Sequence, residues 1–130
     1  MAVTHSTAAL NAATDAVTAL IGASGKLKFR ISPSTVASPG TAAATLSFSA
    51  DAFADASSGT ATANAITSDT NATGNASAVA YATMETSGGT IVVHCAVAAS
   101  ASDINMSNGL TVAAGDTVSC SSLTYKAISA

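Results

Sequence analysis

The stretch Gly88-Gly-Thr-Ile-Val-Val-His-Cys-Ala-Val97 constrains the fold more than any other part of this chain. It is the one uninterrupted β-branched run. Ile91, Val92, Val93 and Val97 are stiff about χ1 and fit a pleated, buried surface. The run is too short for a helix core and is bounded by turn residues, so it reads as a central strand. Gly88 and Gly89 supply the positive φ angles of a tight hairpin. Ala78 to Met84 reads as its antiparallel partner. This hairpin is expected at the middle of a β-sheet to which the other elements add.

The rest of the chain is lean in large side chains. About half of the 130 residues are Ala, Ser or Thr, and only 8% are charged. Large aliphatics and Phe make up under a fifth, a level associated with disorder. The high net charge that completes a disorder signature is missing, since the chain carries −3. One folded domain over 1–130 with a thin core is the expectation, with residues 1–22 as a helical segment and 26–130 as the β-domain. A thin core under a weakly charged surface fits docking on a neighbour, because few charges need desolvating. Four cations exclude a basic nucleic-acid surface as the main function. No run of about 18 apolar residues is present to span a membrane. The N-terminus lacks the basic region and apolar run of a secretory leader, so synthesis in the cytoplasm is expected.

Residues 5–21 are expected to be a helix. Leu10, Ala13, Val17, Leu20 and Ile21 recur at helical spacing as one apolar stripe, with Ser6 as N-cap and Gly22 as terminator. Whether the stripe packs on its own sheet or on another subunit is open at this stage. Lys26 to Ile31 alternates strictly, placing Leu27, Phe29 and Ile31 inward and Lys26, Lys28 and Arg30 outward. Three of the four cations therefore share one strand face. Such a face is solvated or protects a strand edge, meets an acidic partner protein, or binds phosphate, and these three residues are the candidate partner-binding site.

Ser32 to Thr41 is a loop, and Ala44, Leu46 and Phe48 mark a second strand. Asp51 to Ala56 reads as a turn or helical corner with Phe53 in the core. Gly59 to Ile66 is a weak strand, and 68–75 a polar loop. Short strands follow near Ile104 and Leu110, with turns at Asn108-Gly109 and Ala113 to Asp116. Thr117 to Ile128 is expected as a long terminal strand. One N-terminal helix and seven or eight short strands predict a mainly β fold, an antiparallel β-sandwich or jelly roll.

In this order the elements resemble a family of small phage and prophage virion proteins. The resemblance lies in Asn11 to Gly22 running into Lys26 to Ile31, then Asp51-Ala-Phe-Ala-Asp-Ala-Ser-Ser-Gly59 and Thr73-Gly-Asn-Ala76. It continues in Gly88 to His94 and Leu110-Thr-Val-Ala-Ala-Gly-Asp-Thr-Val118. It implies a structural role as a capsid cement or decoration protein on the outer surface of a phage head. The partner would be the major capsid protein, and the protein a dimer or trimer on that lattice. The chain departs from the family in carrying Ala and Thr where larger and charged residues usually stand. A tail-fibre, adaptor or host-receptor-binding module is the alternative.

No motif points to catalysis. His94 and Cys95 are neighbours on a strand and point to opposite faces, so they cannot form a nucleophile–base couple. No nucleophile elbow, phosphate loop, dinucleotide fingerprint or zinc spacing is present, and no cofactor or metal is expected. Asp51 and Asp55 lack further acidic neighbours and read as caps or solvated residues rather than calcium ligands. Cys95 and Cys120 are expected to stay reduced.

Overall fold

A computed structural model describes residues 3–128. Helix α1 (Thr7–Ala19) starts where expected, with the Ser6 side chain accepting a hydrogen bond from the Ala9 amide at 3.2 Å. Gly22 follows with φ of 67°. The strands are β1 (Lys26–Ile31), β2 (Ala42–Phe48), β3 (Thr60–Thr62), β4 (Ile66–Thr67), β5 (Val79–Glu85), β6 (Ile91–Ala98), β7 (Ile104–Asn105) and β8 (Thr124–Lys126).

The fold is mainly β with one helix. The strands do not divide into the two comparable antiparallel sheets of the expected sandwich or jelly roll. Six form one curled sheet in the order β4-β2-β1-β5-β6-β7, and β3 pairs with β8 separately. The large sheet is mixed, because β7 runs parallel to β6 with Val97 opposite Ile104. The chain achieves this with a loop of only five residues, 99–103. Parallel neighbours normally need a crossover of a dozen residues or more. Here Ala101 adopts φ of 55° and the Asp103 carboxylate accepts the Ala96 amide at 2.9 Å, which folds the loop back on β6.

The predicted hairpin is present. β5 and β6 are antiparallel, and Gly89 carries φ of 92° in the turn between Thr86 and Thr90. Gly88 is not in the positive region. The expected buried character of β6 is only partly met: Val97 is buried, and the strand is otherwise half-buried or exposed. Its neighbour on the outer side is the two-residue edge strand β7, which pairs with only the last two residues of β6. The middle of the sheet is instead β1 and β5, flanked by β2 and β6.

The core follows the register. Leu27 lies opposite Leu46 and Met84, and Phe29 opposite Ala44 and Ala82. All six side chains are buried, with Ile21, Phe48, Phe53, Val79, Val97, Val112 and Leu123 around them. Phe53 plugs this core as expected, its ring 5.7 Å from that of Phe48. The Asp51–Ala56 segment is not a helical corner; Phe53 bridges Ala63, and Asp51 and Asp55 are exposed.

The helix packs within its own subunit, through a face that keeps most of the predicted apolar stripe but is turned so that Thr14 lies at its centre and Leu20 falls outside it. The buried residue is Thr14, whose hydroxyl donates to the Gly59 carbonyl at 2.6 Å and accepts the Ala127 amide at 3.2 Å. Asn11 accepts the Gly59 amide and Asp15 the Ala56 amide, at 2.7 and 2.8 Å. Leu10, Ala13 and Val17 are half-buried, Ile21 is buried, and Leu20 is 65% exposed. Polar side chains win because the surface beneath them is irregular backbone with unpaired N–H and C=O groups, which apolar residues would leave unsatisfied.

The long terminal strand is also corrected. Only Thr124–Lys126 forms a ladder, against β3. The chain from Val112 to Val118 instead lies along residues 69–75, through Asn75 to Val112, Gly115 to Ala72 and a two-way bridge between Asp69 and Val118. The weak strand at 59–66 breaks into β3 and β4, which join different sheets.

Candidate protein-binding face

The outer face of the large sheet gathers the chain's cations. Alternation along β1 sends Leu27 and Phe29 inward and Lys26, Lys28 and Arg30 to the other side. Across the register Lys26 stands opposite Ser47 and Glu85, Lys28 opposite Thr45 and Thr83, and Arg30 opposite Tyr81. His94 lies opposite Thr83 on the same face.

The three cations do not share one environment. Arg30 is 6% exposed and not outward-facing in the sense expected. Its guanidinium bonds Glu85 Oε2 at 2.6 Å, the Thr83 hydroxyl at 2.9 Å and the Gly40 carbonyl at 2.8 Å. The loop between β1 and β2 folds over the sheet and covers it. Lys28 is half-buried, with Nζ 3.3 Å from Glu85 Oε1. Lys26 is half-buried and donates to the Ser47 hydroxyl at 2.9 Å. β1 lies inside the sheet, so these lysines do not protect an edge.

Glu85 is the chain's one glutamate and organises the cluster. It is 1% exposed and also accepts from the Thr83 hydroxyl at 2.6 Å. Burial pushes its carboxyl up; hydrogen bonds from Thr83 and Arg30 and the Lys28 charge outweigh that and hold it below its ordinary value. Sequence reasoning missed this residue because the partner strand was ended at Met84. The signal was present: Tyr81, Thr83 and Glu85 alternate against Ala82 and Met84, giving β5 a polar face.

Lys26, Lys28 and Arg30 against Glu85 leave this face at +2, and Lys126 against six aspartates leaves the remainder at −5, together the −3 of the chain. This face is thus net positive in a chain that is net negative, and Lys26 and Lys28 are its reachable cations.

His94 and Cys95 point to opposite faces, as expected. His94 Nε2 lies 3.0 Å from the Ser34 hydroxyl, and its ring packs 5.1 Å from Tyr81. Among the described residues no carboxylate bonds the other ring nitrogen, and Ser34 is buried. This contact ties the covering loop to β6. Both cysteines are unpaired. Burial is the main cause that pushes the Cys95 thiol up to about 11 and also raises Cys120. Among the described residues no cluster of three or more His, Cys, Asp or Glu is placed to hold a metal, and no helix is long and apolar enough to cross a membrane. No protein-family model, curated protein or solved structure matches this chain.

Proposed function

We propose that this chain is a structural virion protein, a cement or decoration protein on the outer surface of a phage head. Its partner is the major capsid protein, whose neighbouring subunits it holds together across their seams, and it acts as a dimer or trimer. The observation that carries this reading is the gathering of Lys26, Lys28 and Arg30 on one sheet face of a chain that is only 8% charged and rich in Ala, Ser and Thr. A small patch orients the molecule on a repeating acidic surface, and the nearly uncharged surround makes broad contact at little desolvation cost. Each attachment is weak, and an oligomer on a lattice multiplies it. Lys26 and Lys28 make the contact, while Arg30 supports them from beneath.

Two measurements test the reading. Mass spectrometry of purified particles should count hundreds of copies per head; a dozen would favour the fibre or adaptor module instead. Lys26→Ser with Lys28→Ser should lower occupancy on the particle and increase heat-induced genome loss. Unchanged occupancy would remove this face from the contact.

A further inference from the structure

The hydrogen-bond pattern makes the large sheet an almost closed ring. Starting from β7, the order runs β6, β5, β1, β2 and β4. Asp69 continues the β4 register along β2, its carboxylate accepting the Thr45 amide at 2.8 Å. The other side of Asp69 is bridged in both directions by Val118. Seven segments therefore follow one another, and the two end segments, β7 and the stretch around Val118, face each other across a groove of about 640 Å³. Phe29 from the core forms its floor.

Both walls are unpaired edges. β7 is the last strand of its sheet, bonded to β6 on one side only. Successive residues of an extended chain send their N–H and C=O groups in opposite directions. Val118 spends its pair on Asp69, so Thr117 and Ser119 present theirs to the other side, where among the described residues their amides have no partner. An open edge of this kind is a template for another strand, and closure of a barrel is what removes it. The apolar lining is suited to alternate side chains of an incoming strand: Ile104, Met106, Val118 and Leu123 all face the groove.

Charge selects the occupant. Asp103 and Asp116 line the groove, and no Lys, Arg or His does. Each carboxylate uses one oxygen on a backbone amide, Ala96 and Ala113 respectively, at 2.9 Å. The other oxygen of each is left for a cation.

We propose that the gap between β7 and the Thr117–Ser119 edge accepts an extended segment of a partner protein, with alternating apolar and basic residues, as the strand that closes the ring. This is recognition by strand addition: backbone bonds provide affinity, and the apolar sites and two aspartates choose the sequence. It does not depend on whether the partner belongs to a head, a tail or neither.

Cys120 lines the groove and reports occupancy. In the full-length Cys95→Ser variant, which leaves it as the one thiol, its alkylation rate is measured with three blocked hexapeptides. The first is Lys-Val-Arg-Val-Lys-Val; the second has Glu at each basic position; the third is the first with alternate amides N-methylated. The basic peptide at saturation should slow alkylation at least tenfold and slow amide exchange at Thr117 and Ser119, and the other two peptides should do neither. Equal protection by the acidic peptide, or by the N-methylated one, would overturn the proposal, as would no protection by any. So would a chain that is already oligomeric with Cys120 protected and is freed by deleting residues 1–5. In that case the occupant is the N-terminal arm of a second copy, where Val3 is 77% exposed.

Discussion

Glu85→Gln removes one charge from the centre of the positive face and leaves the shape of the side chain almost unchanged. In the native protein two cations converge on this carboxylate, Arg30 at 2.6 Å and Lys28 at 3.3 Å. Arg30 is 6% exposed, so its guanidinium would remain in the interior, still donating to the Thr83 hydroxyl and the Gly40 carbonyl but with no counter-charge. Removing one member of a buried pair costs about 3–5 kcal/mol. Domains of this size have about 5–15 kcal/mol in total, so the variant should melt roughly 10–20 °C lower. The cost should fall as pH drops. Because the folded Glu85 carboxyl titrates below its ordinary value, 4.5, its stabilisation is present above that pH and is lost as the pH falls through the folded value. Wild type should therefore converge on the variant in acid. Urea denaturation followed by circular dichroism, at neutral pH and through the acid range, reads both effects. The double variant Arg30→Met/Glu85→Leu should recover most of the loss, since apolar replacement of a buried pair is close to neutral. A Glu85→Gln variant within about 1 kcal/mol of wild type, or a double variant worse than the single, would refute the account of this cluster.

Three further outcomes are expected. Thr14→Val should destabilise the protein by about 1–3 kcal/mol, because the Gly59 carbonyl and Ala127 amide lose their shared hydroxyl; hydrogen exchange should show α1 loosening before the large sheet does. Gly74→Ala should be severe, since φ is 71° and a new Cβ would fall 2.3 Å from the Ala114 nitrogen, whereas Gly89→Ala, at φ of 92° with open space around it, should lose only about 1 kcal/mol of melting free energy. At pH 8 a thiol reagent should modify Cys120 well before Cys95, whose thiol burial pushes to about 11; equal rates would contradict the packing of β6 on Ala82.

The residues that alternate strictly were legible without any structure. Lys26 to Ile31 had to be a strand, the Gly88-Gly89 turn had to join two strands, and Ser6 had to cap the helix, because each signal resides in a few neighbouring residues. The same locality explains the failures. Arg30 looks outward on its own strand; only the β1–β2 loop folding over the sheet buries it, and only β5 brings Glu85 to it from 55 residues away. The apolar spacing of α1 placed Leu10, Ala13, Val17 and Ile21 on the packed side but also marked Leu20 for burial. What turned the helix toward Thr14 was the line of backbone groups near Gly59, which no periodicity in the helix records.

Composition and period thus determined a mainly β chain with one helix, a lean core and its cations on one strand. Tertiary structure alone decided that the sheet is mixed and curled, and that the Thr117 to Ile128 stretch abandons a long strand. The physical reason is that side-chain period is a property of a strand by itself, whereas the choice of neighbour depends on backbone groups of segments far apart in sequence, and Ala, Ser and Thr repeated throughout the chain give those segments little to tell them apart.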